Sequence, residues 1–130
     1  RDFIDKARRL RKILGGGMRQ AGIIAAAGIV ALETMVDRLA EDHALAKVLA
    51  EGLSRIDGVS LEKNSPQTNM VFIRLDQRVS VSDAEFEKQL KERGVLLNGT
   101  GPRTFRLVTH HDVGLEEVNR CVEAIKAVLN

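Results

Sequence analysis

A run of glycines beside basic side chains is the first group of residues in the sequence that could do chemistry. Lys12 comes just before Gly15, Gly16 and Gly17, and Arg19 follows at the predicted start of a helix. Backbone N–H groups of a glycine turn and of a helix N-terminus, together with a cationic side chain, suit a phosphate or another anion. The same glycines also fit a flexible hinge or a helix C-cap, because glycine adopts positive φ without a steric penalty. The residues alone leave both interpretations open.

A single arginine in an apolar stretch is the second candidate. Arg106 lies between Phe105 and Leu107 in a segment predicted to be a strand. An arginine on a half-buried strand needs a partner, and its planar guanidinium matches a carboxylate through two hydrogen bonds. The partner could be an external carboxylate or an Asp or Glu of the same chain, and the sequence does not decide between them.

The sequence contains no complete catalytic set. It has no Cys/His pairing, no zinc-ligand spacing and no GxSxG motif. His110 and His111 precede Asp112, but neighbouring histidines at a strand end diverge, so we expect no metal site. Cys121 fits a helical apolar pattern and is predicted to be a core residue. As the single cysteine it excludes an internal disulfide and suits a reducing compartment.

Composition indicates one ordinary folded domain. The 130 residues are 44% hydrophobic but only 3% aromatic, so the core must be largely aliphatic. The net charge of +2 is uneven, since residues 1–19 carry seven basic and two acidic side chains. That segment could meet phosphates or an acidic partner, or could be a solvated helix face. Because it is short and aromatics are scarce, we expect no nucleic-acid partner.

Three helices are predicted in the first part of the chain. An amphipathic helix covers residues 2–14, and a second amphipathic helix covers residues 36–56. Between them, residues 18–34 are rich in Ala and Gly and apolar on nearly every side. A helix with that pattern is expected to be buried all round, so we predict that it lies at an interface with another subunit or a further domain. Its longest apolar run, residues 21–32, is too short for the roughly 20 residues that span a bilayer, and we expect no membrane insertion.

The second part of the chain alternates strands with helices. Strands are predicted at 59–61, 70–75, 95–97 and 105–109, with a polar turn at 98–102. Ser82 is predicted to cap one helix, which Gly94 ends, and Asp112 to cap the last. This order predicts an α+β fold in which N-terminal helices precede a small, mainly antiparallel sheet with helices on one face.

Four motifs in this order resemble the low-specificity L-threonine aldolases. They are Gly15 to Gly22 followed by the Ala-rich helix, Arg38 to His43, Thr68 to Met70, and Arg106 to His110. Members of that family depend on pyridoxal phosphate (PLP), have the aspartate-aminotransferase-like fold and are usually homotetramers. They cleave β-hydroxy-α-amino acids, such as L-threonine and L-allo-threonine, to glycine and an aldehyde.

The resemblance implies that this chain is the C-terminal portion of such an enzyme. It begins without Met and after the position of the lysine that forms the Schiff base, so no catalytic residue is expected in it and the fragment alone should be inactive. Residues 1–35 are then connecting helices and a glycine loop, normally packed on the missing large domain or a neighbouring subunit. Residues 36–130 are a small C-terminal α+β domain.

Three site residues carry over from the family. Arg106 matches the arginine that grips the substrate carboxylate, and Arg19 matches one that reaches the cofactor phosphate region from a neighbouring subunit. Lys12 matches a lysine near the same site. The resemblance therefore implies PLP as cofactor, an amino-acid substrate, and a cytoplasmic homo-oligomer assembled through the Ala-rich helix and the glycine loop. The alternatives are another PLP-dependent lyase or racemase of the same fold, or a non-catalytic assembly or anion-binding module.

Overall fold

The computed structural model describes residues 1–62 and 64–130, which form two compact units, Arg1–Asp37 and Arg38–Asn130. The first unit contains two helices, α1 (Asp2–Ile13) and α2 (Gly22–Thr34). The second unit contains, in order, α3 (Leu39–Leu53), β1 (Val59–Leu61), β2 (Met70–Leu75), α4 (Asp83–Glu92), β3 (Asn98–Gly101), β4 (Thr104–Val108) and α5 (Leu115–Leu129).

Both helices of the first unit expose their apolar side chains. On α1, Phe3 is 79% exposed, and on α2, Ile23 and Leu32 are 87% and 75% exposed. Helix α2 begins four residues later than predicted and buries none of its residues within this chain. The predicted burial of α2 against another subunit or domain therefore remains a prediction. Within the described residues, no helix is long and apolar enough to cross a membrane.

The second unit is built on a four-stranded antiparallel sheet with the strand order β1-β2-β4-β3. Alternate residues of its central strands are buried, including Val71 and Ile73 of β2 and Phe105 and Leu107 of β4. Successive side chains of a strand point to opposite faces, so these residues share one face. They form a single apolar core with side chains of α3, α4 and α5. The predicted α+β fold, with a small antiparallel sheet and helices on one face, is confirmed.

The two helices predicted from capping signals begin differently. Ser82 caps α4 as predicted, its Oγ accepting a hydrogen bond from the Glu85 N–H at 3.2 Å. Helix α5 has Gly114, not Asp112, as its N-cap. The Glu117 carboxylate accepts the Gly114 N–H at 2.9 Å, and backbone N–H groups, its own and that of Gly114, lower the pKa of Glu117. The prediction for Asp112 was wrong because Glu117 supplies the acceptor from inside the helix.

The third strand also differs from the prediction. Residues 98–101, predicted as a turn, form β3, whereas residues 95–97, predicted as a strand, do not. The chain instead reverses at Pro102 and Arg103, where Arg103 has a φ of 59°. The register of β3 against β4 shifts between Gly99 and Gly101, as it does at a β-bulge.

The reversal is held by the Arg103 side chain. Its guanidinium donates to the carbonyl oxygens of Asp76 and Val79, each at 2.8 Å, and its backbone N–H donates to Asp83 Oδ2 at 2.9 Å. These bonds tie the β3–β4 turn to the loop before α4 and to the first turn of that helix. Arg103 therefore fixes the position of β3, which no local sequence pattern indicated.

Candidate functional site

Arg106 lies on the sheet face that is turned away from the helices. Its neighbours Phe105 and Leu107 point into the core, so the alternation of β4 directs Arg106 to the opposite, open face. The strand register places Phe72 of β2 on one side of Arg106 and Asn98 of β3 on the other. Phe72, Arg106 and Asn98 therefore form a row across three strands, which we call the Arg106 row.

The Arg106 guanidinium has no acidic partner within the part of the chain that the structure describes. The ion pairs of arginines found there involve Arg8, Arg38, Arg74, Arg78 and Arg103. The Nε atom of Arg106 is buried, and among residues 1–62 and 64–130 its N–H has no hydrogen-bond acceptor. An unpaired buried donor on a charged group is costly, about 1–3 kcal/mol or more. An Asp or Glu of the same chain, one of the two possible partners for Arg106, is thus not observed among these residues.

A hydrogen-bonded latch joins the end of β4 to α3. The Thr109 N–H donates to Asn69 O at 3.0 Å, and Asn69 Nδ2 donates back to Thr109 O at 2.8 Å. The buried Thr109 hydroxyl donates to the carbonyl oxygen of Asp42 at 2.7 Å. The Asp42 carboxylate in turn accepts both terminal nitrogens of Arg38, at 2.6 and 3.1 Å, and this hydrogen bonding raises the pKa of Arg38.

The latch brings three of the four sequence motifs together in the fold. It takes Arg38 and Asp42 from one motif, Asn69 from the second, and Thr109 from the third, the motif that also contains Arg106. Its bonds extend the pairing of β2 and β4 beyond Met70 and Val108 and fix that end of the sheet against α3. The latch residues are structural supports that reasoning from the sequence did not find.

The glycine loop of the first unit brings Lys12 against the backbone. Gly15 has a φ of 85°, which favours glycine, and the Gly16 N–H donates to Arg11 O at 2.7 Å. A Cβ atom built on Gly17 would lie 2.6 Å from Cδ and 2.7 Å from Nζ of Lys12. The Lys12 ammonium group thus lies directly beside a residue that has no side chain.

Arg19 is placed differently from the prediction. It lies in a bend before α2, which begins at Gly22, rather than at the start of that helix. The Arg19 side chain is exposed. The N-cap residue of α2 is Ala21, so the N-cap side chain does not cap the first turn of that helix. Lys12 and Arg19 flank the glycine turn in the sequence, and a glycine turn with a cation on either side suits an anion.

The remaining candidates show no reactive arrangement. Burial raises the pKa of the Cys121 thiol to about 11, so the thiol stays protonated at neutral pH. His110 Nδ1 lies 3.7 Å from Asp112 Oδ2. No group of three or more metal-binding side chains occurs among residues 1–62 and 64–130.

Comparison with known proteins identifies the family. The profile of the beta-eliminating lyases matches residues 1–76, more than half of the chain. The chain belongs to the beta-eliminating lyase family. Among members with curated names, low-specificity L-threonine aldolase 1 of Arabidopsis thaliana is 38% identical over 117 residues, 90% of this chain and 33% of its own length. The low specificity L-threonine aldolase of Escherichia coli K12 is 45% identical over 118 residues, 91% of this chain and 33% of its own. The resemblance to threonine aldolases is confirmed.

Solved structures of beta-eliminating and related enzymes share the fold. The cystine C–S lyase C-DES, in complex with its product cysteine persulfide, superposes with a TM-score of 0.66 at 20% identity, over 82% of this chain and 28% of C-DES. A C-DES mutant with glycine covalently linked to its PLP cofactor gives a TM-score of 0.65. The chain spans about a third of the length of the curated relatives that it matches.

Proposed function

We propose that the full-length protein is a PLP-dependent carbon–carbon lyase that cleaves β-hydroxy-α-amino acids, such as L-threonine and L-allo-threonine, to glycine and an aldehyde. The identity to threonine aldolases, 38% and 45% over nine-tenths of this chain, supports this assignment. The structural observation that carries it is Arg106, a cation on an open sheet face whose Nε has no partner in the described residues.

Arg106 is proposed to hold the α-carboxylate of the substrate. A guanidinium and a carboxylate match through two parallel charge-assisted hydrogen bonds, which fix orientation as well as affinity. Holding the carboxylate restricts rotation about the bonds to Cα and so orients the bond that is to be broken. Phe72, the apolar neighbour of Arg106 on β2, limits water on that side of the guanidinium.

Lys12 and Arg19 are proposed to meet the phosphate group of PLP. The glycine turn fits that group, because Lys12 Nζ lies beside Gly17, which presents no side chain, and because both cations flank exposed backbone. When bound, PLP supplies an electron sink for the charge that develops as the Cα–Cβ bond breaks. The lysine that binds PLP covalently is proposed to lie in the rest of the full-length chain, so this segment alone should be inactive.

Assembly into a homo-oligomer, a tetramer by resemblance, is part of the proposal. Helix α2 exposes Ile23, Ile24 and Leu32 at 62–87%, and grouped exposed apolar side chains are typical of an interaction surface. Contact through α2 and the glycine loop would let Arg19 serve the site of a neighbouring subunit. A cytoplasmic location is proposed with it, on the resemblance and on the single, unpaired cysteine.

Product analysis tests the proposed reaction. Full-length protein loaded with PLP should convert L-threonine to equal amounts of glycine and acetaldehyde, measured by chromatography and by an aldehyde-coupled assay. The family profile favours another family lyase as the second candidate, and such an enzyme would instead release pyruvate from cysteine, cystine or serine. Racemisation of alanine without aldehyde would indicate a racemase of the same fold. No product from any of these amino acids, with no visible absorbance from bound PLP, would leave a non-catalytic module.

A further inference from the structure

The residue opposite Arg106 on β3 has no assigned role. Asn98 is the cross-strand partner of Arg106, and its side chain lies on the same open face. Residues directly opposite each other in an antiparallel pair have Cβ atoms about 4.5–5.5 Å apart, so the two side chains are neighbours, although in this structure no hydrogen bond joins the Asn98 carboxamide to Arg106 Nε. Asn98 is exposed, and within the described residues its side chain makes no hydrogen bond.

The burial of Arg106 Nε limits what can satisfy that atom. Nε is closed to solvent, so a substrate oxygen cannot approach it from outside without displacing the row. The two terminal nitrogens of the guanidinium remain for a carboxylate, which would accept one hydrogen bond from each of them. Among the described residues, the side chains that flank Arg106 on the neighbouring strands are Phe72 and Asn98, so the row offers the candidates for an acceptor.

Only one of the two neighbours in the row has an acceptor. Phe72, on the β2 side, is apolar, whereas Asn98, on the β3 side, carries a carboxamide oxygen. We propose that Asn98 is a positioning residue: when substrate binds, its unpaired carboxamide turns towards Arg106, Oδ1 accepts a hydrogen bond from Nε, and the terminal nitrogens of Arg106 are thereby aimed at the substrate carboxylate. This inference rests on the proposed function of Arg106.

The position of β3 supports the same role. The hydrogen bonds of Arg103 hold the turn of the β3–β4 hairpin, in whose register Asn98 pairs with Arg106. The pairing of Asn98 with Arg106 lies on the far side of the irregularity between Gly99 and Gly101 from the turn. A register shifted by one residue would move Asn98 to the core face and leave Nε without an acceptor.

A double-mutant cycle in the full-length, PLP-loaded enzyme tests the inference. Asn98→Leu keeps the size of the side chain and removes the acceptor, and Arg106→Lys keeps the charge and removes Nε. We expect Asn98→Leu to raise KM for L-threonine and the dissociation constant for glycine about five- to twentyfold in the Arg106 background, with a smaller change in kcat. In the Arg106→Lys background the same substitution should change neither by more than about twofold, because no Nε remains to be aimed.

The controls separate this role from a structural one. Asn119→Leu changes an exposed asparagine on α5, on the other side of the sheet, and should leave both constants unchanged. Asn98→Ala provides a second variant without an acceptor should Asn98→Leu be poorly folded, and it should show the same dependence on Arg106. Equal effects of Asn98→Leu in both backgrounds, or no effect in the Arg106 background, would overturn the inference while leaving the role of Arg106 intact. An Arg106→Lys enzyme with unchanged glycine binding would overturn the proposed role of Arg106 in binding the substrate carboxylate.

Discussion

Replacing Gly17 with alanine should weaken PLP binding by the full-length enzyme without weakening its fold. The new Cβ would lie 2.7 Å from Lys12 Nζ, whereas ordinary contacts begin at 3.4 Å, so the ammonium group must move by at least about 0.7 Å. Gly17 is not in the positive-φ region, so alanine adopts its backbone conformation without strain. Lys12 is an exposed, flexible side chain that can move at little cost to stability. The loss of one partly solvated charge contact to a phosphate, about 1 kcal/mol, corresponds to an affinity loss of about fivefold.

Titration of the apoenzyme with PLP, together with a thermal melt, measures both expectations. Lys12→Ala should give a loss of similar size, and the Gly17→Ala/Lys12→Ala double variant should lose no more than Lys12→Ala alone. Gly22→Ala is the matched control, since a Cβ there meets no atom within 4 Å. If Gly17→Ala and Gly22→Ala bound PLP equally tightly, the placement of Lys12 beside the glycine turn would have no bearing on the cofactor, and the reasoning would be refuted.

Three further predictions concern the second unit, each measured by urea unfolding. Alanine at Gly52 would put its Cβ 2.7 Å from Cγ2 of Val122, so Gly52→Ala should cost about 1–3 kcal/mol, and Val122→Ala should recover part of that loss in the double variant; strictly additive losses would contradict the clash. Thr109→Val removes the hydroxyl that donates to Asp42 O at 2.7 Å and should cost about 1–2 kcal/mol, whereas unchanged stability would mean that the latch does not form in solution. Because folding raises the pKa of Cys121 from 9.0 to about 11, the unfolded thiol ionises first, and stability should fall as pH rises from about 9 to 11, by at most about 2–3 kcal/mol. Cys121→Ala should show a shallower fall, and an identical pH dependence would rule out this origin.

Local patterns in the sequence were sufficient where local contacts decide the structure. Helix α4 was predicted because its cap bond joins Ser82 to a residue only three positions away, so the capping signal is visible in the local sequence. Strand β2 was predicted from a continuous apolar run, which suits its position in the middle of the sheet. The third strand was missed because Asn, Gly and Thr are typical of turns, and β3 is held in place by β4 and by the distant contacts of Arg103.

The candidate site was only partly predictable for the same reason. An arginine in an apolar strand identified Arg106, but the residues beside it depend on strand register, which a single sequence does not fix. The latch joins Thr109 to Asn69 and to Asp42, partners 40 and 67 residues away in sequence. Periodicity within a short window does not reveal such pairs. From the sequence, these motifs therefore indicated only a resemblance to a family, and the contacts between them became visible in the structure.

Glycine binding by Arg106→Ala tests the central claim most directly, because glycine offers the enzyme a carboxylate without a β-substituent. The loss of a bidentate pair with a carboxylate, about 2–4 kcal/mol, should weaken glycine binding by the full-length, PLP-loaded enzyme about 30- to 1,000-fold. Arg74→Ala is the control. Arg74 is another arginine of the sheet, on β2, but it is already paired with Glu62 at 3.2 Å. A change of less than about twofold in Arg106→Ala, or an equal loss in Arg74→Ala, would contradict the assignment of Arg106 to the substrate carboxylate.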